Sequence, residues 1–235
     1  MKWLALVAVV AVSAQAASNP DLERISTLAR KHQYKEAISE ATALLERMRR
    51  EATAGSLPAA RLRDLLVDAT WRAGLATART AELSEQAIAI KEKLLGPGDP
   101  AVAESYHRYG NLLRSLSRFE DSRTAYEHAL AIRVQAFGEA AIEVVPTLNN
   151  LGQIEALLDD HAKAEATLRR ALAIRESLLA PGDPLISNSL NTLASLFKDL
   201  GRYAEAEPLY RRALAIREAA FPPNHPKVLA ALNNL

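Results

Sequence analysis

The 235-residue chain contains no cysteine, which excludes disulfides, thiolate metal sites, cysteine nucleophiles and a lipid anchor on a leader-end cysteine. That absence does not by itself identify a compartment. Aromatic residues make up only 5% of the chain and glycines number nine, so there is little material for a sheet core or for glycine-rich phosphate loops. Net charge is also lacking: the formal value is +1, and it falls to zero if Lys2 is removed with the leader described below. A neutral surface gives no electrostatic basis for gripping nucleic acid or anionic lipid. The pairs Arg49-Arg50, Arg169-Arg170 and Arg211-Arg212 have acidic residues within a turn or two and read as solvated helix faces.

Signatures of catalysis are missing too. His32, His107, His128, His161 and His225 fall on turns and different helix faces, with no His-Glu-x-x-His and no pair at metal spacing. There is no Gly-x-Ser-x-Gly elbow and no phosphate or dinucleotide loop. Gly96-Pro97-Gly98 is a turn, because Pro97 lacks the N–H that a phosphate cradle uses. Carboxylates are plentiful but sit among arginines, with nothing to desolvate a pair for acid–base work. The reading is a non-enzyme with no cofactor and no metal.

One apolar run stands out. Met1-Lys2 is a short positive start, Trp3 to Val12 is uninterruptedly apolar, and Ala14-Gln15-Ala16 fits a small-x-small cleavage site. Ten residues rise only about 15 Å as a helix, roughly half a bilayer core, so this stretch predicts a cleaved secretory signal over 1–16 and an exported, periplasmic or extracellular, mature chain.

What the chain does have is repetition. Ala129-Leu130-Ala131-Ile132-Arg133 returns letter for letter at 171–175 and 213–217, with a looser copy, Ala87-Ile88-Ala89-Ile90-Lys91, upstream. The spacing is 42 residues each time, the signature of stacked supersecondary units. Apolar residues at helical spacing predict helices over 21–31, 34–50, from about 62 to 74, and 81–95. Junctions Gly96-Pro97-Gly98-Asp99-Pro100, Pro181-Gly182-Asp183-Pro184 and Pro223-Asn224-His225-Pro226 end one helix and start the next. The equivalent Glu139-Ala140-Ala141-Ile142 has lost that chemistry, and Pro146 predicts that the following helix is bent or begins late. Small residues at Gly110, Gly152 and Ala194 let a neighbouring helix approach, and turns are expected at 117–119, 159–161 and 201–203. The organisation read from this is a signal peptide (1–16), a degenerate helix pair (17–56), a degenerate repeat (57–98), repeats over 99–140, 141–182 and 183–224, and a truncated repeat or C-terminal helix (225–235).

The stretches Leu148-Asn149-Asn150-Leu151-Gly152, Arg202 to Leu214 and Pro223-Asn224-His225-Pro226 resemble the kinesin light chain type of tetratricopeptide repeat. The likeness is strongest over 99–235, fainter over 57–98 and faintest over 21–56. It implies an all-α fold, a right-handed α-solenoid of antiparallel helix pairs, in which the first helices line a concave groove. Pro208 stands where such repeats often carry proline.

At about 100° per residue, Asn149, Gln153 and Ala156 share a face roughly a quarter turn or more from the Leu148, Leu151, Gly152 packing side. The matching residues are His107, Asn111 and Arg114 one repeat earlier and Asn191, Ser195 and Lys198 one repeat later, with Asn233 opening another set. If first helices line the groove, these form a polar ladder for peptide binding, since an asparagine amide pairs with any extended main chain. The competing reading is that the asparagines satisfy one another or water between repeats. Trp71 and Tyr106 are either stacking aromatics or core. The expectation is a non-catalytic scaffold that binds a partner protein, with no nucleic-acid partner and no membrane span after leader removal. Self-association through an unfinished C-terminal face is a further possibility. The alternative is the recruiting part of a longer protein whose catalytic or signalling domain follows residue 235.

Overall fold

The computed structural model describes residues 19–235, and the predicted leader lies outside them. Among the described residues the chain is all-α, with no strand. Eleven α-helices follow one another: α1 (Pro20–Arg30), α2 (Tyr34–Arg50), α3 (Leu57–Arg72), α4 (Ala78–Leu95), α5 (Pro100–Ser115), α6 (Phe119–Phe137), α7 (Val145–Leu157), α8 (His161–Leu178), α9 (Pro184–Asp199), α10 (Tyr203–Ala220) and α11 (Pro226–Leu232). They form two compact units, one ending at Arg118 and the other beginning at Phe119.

In the first unit α1, α3 and α5 pack in a row, α2 fits against α1 and α3, and α4 against α3 and α5. In the second, α7 packs on α9, α6 lies on α7, α8 joins α7 and α9, and α10 joins α9 and α11. Each helix pair leaves part of its apolar stripe for the next pair to cover. The core of the first unit includes Ile25, Ala41, Leu62 and Leu66. In the second, Leu168, Leu190, Phe197 and Tyr210 fill the corresponding layers.

Local chemistry sets the helix ends. Asp99 and Asp183 accept backbone N–H bonds at 2.8 Å at the starts of α5 and α9, and His225 does the same through Nδ1 at 3.2 Å for α11. Between first and second helices, Ser117, Asp159 and Gly201 hold positive φ of 58°, 61° and 73°, and the N–H of the next residue bonds a carbonyl five residues back. The junction without turn chemistry behaves differently. After Gly138, at φ 94°, comes a 3-10 turn over Ile142–Val144, and α7 begins only at Val145, with Pro146 in its first turn and no side-chain cap. α7 has 13 residues where α5 and α9 have 16. Pro208 sits exposed inside α10, which runs on through it.

Gly152 is the close-approach position. A Cβ there would lie 2.6 Å from Leu168 Cγ and 3.3 Å from the Ala164 carbonyl oxygen of α8. Two of the arginine pairs make ion pairs on helix faces: Arg169 with Glu165 at 2.8 Å, Arg211 with Glu207 at 2.7 Å, and Arg212 with Glu176.

Candidate protein-binding surface

The last residue of the repeated motif is buried. Lys91, Arg133, Arg175 and Arg217 are 5%, 9%, 7% and 8% exposed. Each long side chain crosses from the end of a second helix to the following first helix. Lys91 Nζ donates to Ser105 Oγ at 2.7 Å, Arg133 Nη1 to Thr147 Oγ1, and Arg175 Nη1 to Ser189 Oγ at 2.8 Å. The hydroxyl stands fourteen residues on in every case. Fourteen residues after Arg217 comes Ala231, which has no hydroxyl. Arg217 bonds instead to Ser187 Oγ (3.0 Å), Asn188 Oδ1 (3.3 Å) and the Lys227 carbonyl (3.1 Å). Burial lowers the pKa of Arg175 and Arg217, although a guanidinium stays charged at any ordinary pH.

The candidate residues lie on the first helices too, and one of the hydroxyls in these joints, Ser189, is shared with Asn149. His107, Asn111 and Arg114 are half-buried on α5. Asn149, on α7, is only 8% exposed, and its amide both donates to and accepts from Ser189 at 3.4 Å. Gln153 donates to the Asn149 carbonyl at 3.2 Å, one turn back. On α9, Asn191 is half-buried with Oδ1 lacking a hydrogen-bond partner, Ser195 Oγ lies 3.0 Å from the Tyr210 hydroxyl, and Lys198 is exposed. Asn233 is exposed just past α11. Lys198 also lines a cavity of about 270 Å3 with Tyr203, Glu207, Tyr210 and Asn234.

A second cavity, of about 310 Å3, opens between α1, α3 and α5, a place not singled out in the sequence as a site. Its floor is the buried Lys91–Asp64 pair at 2.5 Å, with Ser105 donating to Asp64 at 3.0 Å. Arg61, Arg108, Glu23 and Glu104 stand around it, Arg108 paired with Glu104 at 3.1 Å. The signal available was Lys91 itself, the one departure from arginine in the repeated motif. Trp71 packs partly buried beside Val67, Ala81 and Leu112. Tyr106 donates to Glu92 at 3.0 Å, and burial followed by that bond pushes its phenol up to about 12.

Among the described residues no group of three or more His, Asp or Glu is placed to hold a metal ion, and no helix is long and apolar enough to cross a membrane.

The tetratricopeptide repeat family model matches residues 77–135, 105–177, 143–219 and 185–235. These matches span well over half of the chain, which belongs to the tetratricopeptide repeat family. Among solved structures it is similar to a kinesin light chain-like protein of nearly identical repeats from Podosopora anserina, at 19% identity and a TM-score of 0.72, covering 83% of this chain and 92% of that one. BtubC (BKLC) from P. vanneervenii is similar at 25% identity and a TM-score of 0.69, covering 95% and 89%. RapI, in its apo form, shares 14% identity at a TM-score of 0.71, covering 85% and 70%. No match is found among curated proteins. Proteins of this repeat fold act as protein–protein interaction scaffolds and are generally non-catalytic.

Proposed function

We propose that this protein is an exported, non-catalytic scaffold that binds an extended segment or a helix of a partner protein along its first helices. The observation that carries this reading is the division of labour between the two helix types. Second helices spend their buried cations on holding neighbouring first helices at fixed spacing, as Lys91 does with Ser105 and Arg175 with Ser189. First helices carry partly exposed polar side chains that recur at 42-residue intervals in the sequence, Asn111 in the first unit and Gln153 and Ser195 in the second. Donors and acceptors repeated at fixed spacing suit a main chain more than any one side chain. Arg114 and Lys198 add a preference for carboxylates.

Export rests on the leader at 1–16. In a Gram-negative host the full chain is expected in the periplasm with Ala17 as its first residue. Recovery from the cytoplasm with Met1 retained counts against export.

The binding half is tested by affinity capture of envelope proteins with the chain, in parallel with an Asn111→Ala, Asn191→Ala, Lys198→Ala variant. The variant is expected to fold and to lose the captured partner at least about tenfold, as removal of a few central contacts does. If it retains every partner, the first helices are not the binding surface.

A further inference from the structure

Leu113, Glu155 and Phe197 occupy the same place in three successive repeats. Leu113 and Phe197 are core residues, 0% and 2% exposed. Glu155 is equally buried, at 0%, and neither of its carboxylate oxygens has a hydrogen-bond partner. Its one ionic contact is Lys163 Nζ at 3.3 Å, too poorly directed to count as a hydrogen bond. Lys163 is 48% exposed and divides itself between Glu155 and Glu127, the latter at 3.4 Å. Partial desolvation acts to lower the Lys163 pKa, but the two carboxylates leave it raised. A buried carboxylate is held without penalty only when its partner geometry is good and its other lone pairs are hydrogen-bonded, and here neither condition is met.

The opposite end of the same helix is weak for an unrelated reason. α7 starts late, through a 3-10 turn, with no side-chain cap, whereas α5 and α9 start on aspartate caps. One helix thus combines an uncapped beginning with a poorly compensated charge near its end.

We infer that α7 is a built-in yielding element of the second unit, opening locally ahead of α9, with Glu155 as the residue that sets its stability. α7 is otherwise well packed, with Val145, Leu148 and Ile154 buried, so its lower stability rests on the unsatisfied carboxylate and the uncapped start, and local stability falls where buried polar groups go unsatisfied. A first helix that yields alone lets its inner face adapt to what it holds. That consequence rests on the binding surface proposed above, whereas the measurement below involves no partner, so the two fail separately.

The test is native-state hydrogen exchange on the full chain, resolved to α7 and α9. In the unmodified protein, α7 amides are expected to be protected at least about tenfold less than those of α9. Glu155→Leu, which restores the residue type of Leu113, should raise α7 protection by about tenfold or more and narrow that gap. Lys163→Met, which removes the only counter-charge and leaves the packing alone, should lower α7 protection while α9 changes little. Equal protection of α7 and α9 in the unmodified protein overturns the inference. So does a Glu155→Leu variant, folded by circular dichroism, whose α7 protection is unchanged or lower. Should Glu155→Leu not fold, Lys163→Met decides alone, and an unchanged α7 there overturns the inference.

Discussion

Arg175 Nη1 donates to Ser189 Oγ at 2.8 Å, joining the end of one repeat to the first helix of the next. Arg175 Nε is buried without a partner, so this hydroxyl and the charge of Asp183 are what offset its desolvation. Hydrogen bonds to charged groups are worth about 1.5–3 kcal/mol. Ser189→Ala is therefore expected to cost about that much in urea unfolding. Adding Arg175→Met to Ser189→Ala should recover part of the loss, because removing both partners leaves no orphaned charge. A fully additive double mutant would show that the pair is uncoupled.

Gly152 gives a steric prediction. Gly152→Ala places a methyl 2.6 Å from Leu168 Cγ and 3.3 Å from a backbone oxygen, so α7 and α8 must move apart. The expected cost is about 1–3 kcal/mol of overpacking, read as a lower urea midpoint with an unchanged slope. At the same register Ala194 is accommodated with 0% exposure, so the effect belongs to this helix pair and not to the register itself.

Ser117 predicts the opposite sign. It holds φ 58° in a turn where the later repeat uses Gly201 at 73°. A left-handed residue with a Cβ costs roughly 1–2 kcal/mol relative to glycine, partly offset by glycine's greater freedom when unfolded. Ser117→Gly should raise the unfolding free energy by up to about 1 kcal/mol. A loss of stability would mean that the hydroxyl matters more than the backbone.

Tyr106 gives a pH dependence. Burial and its bond to Glu92 push the phenol up to about 12, against about 10 when unfolded. A group with a raised folded pKa contributes stability that is fully present below the unfolded value and is lost as pH rises through the folded one. Stability should therefore fall between about pH 10 and 12, and less steeply in Tyr106→Phe. Ultraviolet titration of the folded protein should show a tyrosine step near pH 12, and that step should vanish in the variant.

Much of this fold was legible in the sequence because helix periodicity and end chemistry are local. α2 spans Tyr34–Arg50 as its apolar spacing indicates, and the late start of α7 follows from the lost turn residues and Pro146. Which polar groups are engaged internally was not legible. An angle of 100° per residue assigns Asn149 to a face, but only the position of α9 shows that Ser189 stands opposite it. Lys91 and Asp64 are 27 residues apart, and nothing local marks either as buried. Ser105, Thr147 and Ser189 do recur at 42-residue spacing, but serine and threonine on a helix are unremarkable until something reaches them.

The bridging cations also bear on how such a chain grows and rearranges. Arginine joints that end on a neutral hydroxyl, at Arg133 and Arg175, travel with their own module: duplicating 42 residues supplies both halves of a new joint. The lysine joint needs a carboxylate as well, because Lys91 leans on Asp64 of its own repeat, whose counterparts two and three repeats on are Leu148 and Leu190. Each module, the one carrying Lys91 included, thus brings its own half of every joint, and only an exchange that parted Lys91 from Asp64 would bury a bare ammonium.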